Sequence, residues 1–114
     1  MAKNSQLDKL LTDGIGFMPE NTKVMVEKAP EVLSAYMEMR NKLLAEGALD
    51  RKTKILMALA IMVTSGMREA IPNYIQIARN LGASDAEIIE AAGVGVSFAG
   101  GRGIDYLITL CRHL

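Results

Sequence analysis

Residues 49–82, LDRKTKILMALAIMVTSGMREAIPNYIQIARNLG, decide the fold. Asp50 stands where a helix cap belongs, ahead of the basic turn Arg51-Lys52-Thr53-Lys54. From Ile55 to Val63 every residue is apolar. A helix that is apolar on all sides must be enclosed by protein or by lipid. This run is far shorter than the ~20 residues that span a bilayer, so protein is the expected enclosure. After Thr64-Ser65-Gly66, the stretch Met67 to Leu81 reads as a second helix, closed by Gly82. The joint between the two, Gly66 to Tyr74, is where chemistry is expected.

Outward on the C-terminal side, Ser84-Asp85-Ala86-Glu87 has the capping-box pattern. The helix it starts is expected to reach about Phe98. Gly93 and Gly95 lie inside it, and each costs ~1 kcal/mol against alanine. Their presence implies close approach of another backbone, the plainer reading, or of a ligand. Gly100-Gly101-Arg102-Gly103 reads as a break, followed by a last helix from Ile104 to Cys111 with Leu107, Ile108 and Leu110 inward. The glycine run follows no strand, so it is not a dinucleotide fingerprint.

Outward on the N-terminal side, Pro30 suits the first turn of a helix, where its missing N–H costs nothing. That helix is expected over Glu31–Ala45, with Val32, Leu33, Tyr36, Met37, Arg40, Leu43 and Leu44 near helical spacing and Gly47 as a left-handed cap. Asn21 is expected to cap a shorter helix through Lys28, with Val24 and Met25 turned inward. Ser5–Asp13 is a further short helix, joined to it by an irregular apolar segment, Ile15 to Pro19. No stretch alternates with period two between hairpin signals, so the fold class is all-α, with about six to seven helices. There is no internal repeat, low-complexity tract or linker, and residues 1–114 read as one domain.

The bulk numbers exclude several functions. At 114 residues the chain is long enough for a real core. Half its residues are hydrophobic but only 4% are aromatic, so that core must be built from Leu, Ile, Val, Ala and Met. Thirteen basic residues balance thirteen acidic ones, leaving no net field toward nucleic acid or an anionic membrane. The N-terminus MAKNSQLDKLL lacks a secretory signal pattern. The single cysteine, Cys111, cannot form an internal disulfide, and a cytoplasmic location fits best.

The order of these features is familiar. A-P-E-V-L-x-A-Y from Ala29 precedes G-A-L-D-R-K-T-K from Gly47 and the apolar helix. A-x-x-x-G ending at Gly82 then leads into S-x-x-E-I-x-E-A, and F-A-G-G from Phe98 closes the set. Over roughly residues 29–110 the pattern resembles the carboxymuconolactone decarboxylase family, which shares the alkylhydroperoxidase D-like fold; residues 1–28 would be an N-terminal helical extension. The resemblance implies a homotrimer or homohexamer with its site near the joint of the two central helices. In the redox branch of the family a C-x-x-C pair precedes a histidine eight residues before the glycine that ends the helix. Counting back from Gly82, the histidine falls on Tyr74 and the cysteines on Met67 and Ala70. The proton-relay glutamate of that branch, one helix earlier, falls on Ile55. The lactone-decarboxylating branch also keeps the histidine matched by Tyr74. All four positions have lost that chemistry, and Pro72 further removes a backbone donor from the turn that carries them.

What remains are weaker candidates. Tyr74, as the hydrogen-bonding group at the histidine position, is a catalytic or ligand-binding candidate, or else a packed amphipathic ring. Glu69 is a tentative catalytic partner, or an acid that favours a helix start. Arg102 could bind a carboxylate or be solvated. Cys111 lacks a resolving thiol and sits near a helix C-terminus, where the dipole disfavours a thiolate. His113, the lone imidazole, has no convergent partners, so no metal and no cofactor is expected. Met18, Met25, Met37, Met39, Met57, Met62 and Met67 either fill the core or line subunit contacts. Arg51, Lys52 and Lys54 form a solvated face or meet an acidic neighbouring subunit.

Three functions follow. The first is an oligomeric scaffold of this family with a small-molecule pocket by Tyr74, taking a small organic acid, and with diverged or lost activity. The second is an active decarboxylase, isomerase or hydrolase of small carboxylates, with residual peroxiredoxin-type activity further down the order. The third is a structural or regulatory partner protein. None calls for nucleic acid or a membrane.

Overall fold

The computed structural model describes residues 20–114, with side chains from Lys23 onward. The helix expected at Ser5–Asp13, the segment Ile15–Pro19 and Met18 lie outside the described residues. Those described form six α-helices and one 3₁₀ turn, with no strand among them, so the all-α expectation holds. They fall into two compact units, divided after Ala45.

In the first unit, α1 spans Glu20–Lys28 and α2 spans Pro30–Leu44. Pro30 opens α2 at a position where its missing N–H has no intrahelical partner to lose. Leu33 and Met37, four apart on one face, form the buried core of the unit, with Met25 and Val26 packed against them. Several expectations fail here. Asn21 lies inside α1, not at its cap. Val24 points outward and Val26 takes its place. Val32, Tyr36, Met39 and Leu43 line the opposite face of α2 and are 53–63% exposed. Apolar spacing shows that a face exists, not which partner covers it. Gly47 is not left-handed; α2 ends instead by extending the chain at Ala45.

The second unit is built on α3, Arg51–Ser65. The Asp50 carboxylate accepts the Thr53 N–H at 2.8 Å and the Glu46 carboxylate accepts the Arg51 N–H at 3.1 Å. Two of the four orphan donors are thereby satisfied. Ile55, Leu59, Met62 and Val63 are buried. The full enclosure expected for this helix is not reached among the described residues, because Met57 and Ile61 remain about half exposed. Gly66, at φ 75°, ends α3 in the left-handed conformation.

What reads as one helix from Met67 to Leu81 is a 3₁₀ turn, Arg68–Ala70, followed by α4, Ile71–Asn80. Pro72 explains the division. It has no N–H to bond back to residue 68, so the ladder restarts with proline in its first turn. The capping box at Ser84 and Glu87 is present as expected and starts α5, Asp85–Ala99. The last helix, α6, spans Gly101–Arg112 and begins three residues earlier than expected, because the break is confined to Gly100. Leu110 is buried on it, whereas Ile108 is exposed.

Helix α3 packs along α5 and also meets α4 and α6. At the α3–α5 crossing, a Cβ added to Gly95 would collide with the Ala60 carbonyl oxygen. Gly93 has open space around it. Close backbone approach is therefore the role of Gly95 alone. Lys52 reaches Glu87 at 2.8 Å, so this part of the basic run is tied to α5 rather than merely solvated.

Candidate functional site

The joint after α3 is shaped by Gly66 and Tyr106. The Tyr106 hydroxyl of α6 would lie 2.8 Å from a Cβ at Gly66, and the Arg68 guanidinium stands 5.2 Å over the Tyr106 ring. Beyond it, the first turn of α4 carries Tyr74, 8% exposed, between the buried Ile71, Ile75 and Ala78. Tyr74 and Ala78 share the inward face one turn apart, as their spacing implies, with Ile77 and Leu81 partly buried beside them.

Of the positions that the sequence resemblance matches to the redox site, Ile55, Met67 and Ala70 carry no ionisable group. Ile55 is 0% exposed in the core, and Met67 is an exposed thioether ahead of the 3₁₀ turn. Ala70, the last residue of that turn, is partly buried. Glu69 and Arg102 lie on the surface. No polar or charged side chain is fully buried among the described residues.

One residue was missed in the sequence. The amide nitrogen of Asn73, adjacent to Tyr74, is buried with no hydrogen-bond partner among the described residues. A donor left so costs ~1–3 kcal/mol. Only its place in the first turn after Pro72 could have hinted at it.

Cys111 is exposed on α6. His113 caps the C-terminal end of the same helix and is exposed. No group of His, Cys, Asp or Glu able to hold a metal occurs among the described residues, nor does a helix long and apolar enough to cross a membrane.

The shifted carboxylates lie at helix starts. Hydrogen bonds from the Thr53 side chain and backbone hold Asp50 below its usual range. Lys52, then the Ser84 backbone N–H, hold Glu87 below its own. Both groups serve the architecture, as helix caps and, for Glu87, as the partner of Lys52.

A groove open to solvent, about 370 Å³ in volume, runs between α3 and α5. Ala60, Ile61, Thr64, Ser65, Val94, Gly95 and Phe98 line it. Tyr74, Glu69 and Arg102 take no part in it.

Among solved structures, the chain resembles the crystal structure of an apo carboxymuconolactone decarboxylase family protein from Legionella pneumophila. The TM-score is 0.75 at 24% identity, over 95% of this chain and 93% of that one; the likeness is one of fold. No curated protein matches the chain significantly. The family model described as "Carboxymuconolactone decarboxylase family" matches residues 30–109, most of the sequence. The chain belongs to the carboxymuconolactone decarboxylase family.

Proposed function

We propose that this protein is an oligomeric helical scaffold of its family that performs no thiol chemistry. The observation that carries the reading is Ile55. At the position matched to a proton-relay glutamate stands a side chain wholly enclosed by its neighbours, and Met67 and Ala70 supply no thiol. Exposed apolar side chains on α2, and on α3, α5 and α6, support self-association, since covering them between copies would take apolar surface out of water. A decarboxylase, isomerase or hydrolase would work through Tyr74, Glu69 or Arg102, of which Glu69 and Arg102 are exposed. The test combines light scattering with a hydroperoxide assay using a dithiol donor. A mass above that of the monomer with no turnover is expected. A stable monomer would end the scaffold reading, and turnover lost in Cys111→Ser would end the thiol-free one.

A second reading, a pocket for a small organic acid at the start of α4, is favoured by the orphan amide of Asn73 beside Tyr74. A carboxylate oxygen is the acceptor this donor lacks. Thermal shift with small carboxylates, on the wild type and on Asn73→Ala, tests it. Stabilisation present in the first and absent in the second is expected.

A further inference from the structure

We propose that the groove between α3 and α5 is a contact between two copies of this chain, each seating its Phe98 in the groove of the other. The inference rests on the oligomeric reading above and identifies the surface and the residue that assemble it. Phe98 stands at the rim of the groove and is 85% exposed, more than any other large apolar side chain among the described residues. Leaving a ring of that size in water forgoes ~2 kcal/mol of burial. Beside it lies the open groove, most of whose lining is small: Ala60, Thr64, Ser65 and Gly95. One surface thus carries both an aromatic knob and the hollow that would take it, which is the self-complementarity a twofold contact requires.

The lining can be covered at little polar cost. It contains no ionisable side chain, so two copies meet there without like-charge repulsion. The Thr64 hydroxyl is already directed at the Ala60 and Gly95 carbonyls, at 2.8 and 3.1 Å, so of the two lining hydroxyls only that of Ser65 would need a new partner. Size agrees as well. Ile61, Val94 and Phe98 of the lining expose roughly 400 Å² per copy, and Met57, one turn before Ile61 on α3, adds roughly 100 Å², so a pair can bury at most about 1,000 Å² of apolar surface here, where specific interfaces begin. A small ligand fits less well, because binding pockets enclose 70–90% of their ligand and this groove is open along its length.

The experiment is light scattering on the full chain, with far-UV circular dichroism to follow helix content. The wild type should exceed the monomer mass. Phe98→Asp should retain the helix signal, since its side chain lies outside the core, and fall to half the wild-type mass or below. Ile61→Asp, on the opposite wall, should do the same. Phe98→Ala, which adds no charge, should raise the concentration at the dissociation midpoint at least tenfold. Variants that keep the wild-type mass and midpoint would overturn this contact and leave the oligomeric reading standing. A monomeric wild type would overturn both.

Discussion

Thr64 and Gly95 join α3 to α5 at their crossing. The Thr64 hydroxyl lies 3.1 Å from the Gly95 carbonyl oxygen while also donating to Ala60 within its own helix at 2.8 Å. The missing side chain at Gly95 allows the approach. Gly95→Ala should therefore cost about 1–3 kcal/mol through overpacking against backbone that cannot yield. Gly93→Ala, two residues earlier in the same helix and with nothing within 4 Å of the added methyl, should gain about 1 kcal/mol of helix propensity. Chemical denaturation of both variants checks the opposite signs.

Acid stability should depend on the Lys52–Glu87 pair. Bonds from Lys52 and the Ser84 N–H lower the Glu87 pKa in the folded chain below its value in the unfolded one. As the pH falls, the unfolded chain takes up its proton first, so the contribution is complete above the usual carboxylate range and is lost on passing down through the depressed folded value. Asp50, lowered by Thr53, acts with the same sign. Melting temperature measured between pH 7 and pH 3 should fall less steeply in Glu87→Gln than in the wild type. Parallel curves would show that the pair is not coupled to folding.

Peroxidase turnover should be absent. Cys111 is the only thiol, and it is exposed on α6, whereas the resemblance maps the family's cysteines onto Met67 and Ala70. Organic hydroperoxide with a dithiol donor should be consumed no faster with protein than without it, and Cys111→Ser should behave identically. A rate that disappears in the serine variant would place the chemistry on Cys111.

Tyr74→Phe separates a ligand contact from a packing role. The change keeps the buried ring and removes only the hydroxyl. If Tyr74 serves the organic acid, the melting temperature should stay close to wild type while the stabilisation by small carboxylates disappears. Loss of about 1 kcal/mol of stability, with the ligand response intact, would instead make the hydroxyl a structural group.

Most of the helices were legible because their ends carry strong local chemistry. Asp50, Pro30 and the Ser84–Glu87 box act within a few residues of themselves, so spacing alone reveals them. The 3₁₀ turn at Arg68–Ala70 was harder, since it depends on a hydrogen bond that Pro72 fails to make. Burial on α2 was misread at Val32, Tyr36 and Leu43, because an apolar stripe does not reveal whether its partner lies in the same chain. At the site, the residue types alone show that positions 55, 67, 70 and 74 hold no glutamate, cysteine or histidine. The orphaned amide of Asn73 was not legible in this way, because satisfaction is a property of three-dimensional neighbours.

The enclosure of Ile55 also bears on what new chemistry the joint could take. Suppose Met67→Cys, Ala70→Cys and Tyr74→His placed sulfur and imidazole at the joint. The relay would still require Ile55→Glu, in a place fully closed by apolar neighbours. A carboxylate there would be pushed toward its neutral form, and ionising it would cost several kcal/mol. Giving this chain the chemistry of the family's redox branch would therefore take a polar setting around position 55 as well as new cysteines, because the interior that encloses Ile55 disfavours an ionised carboxylate.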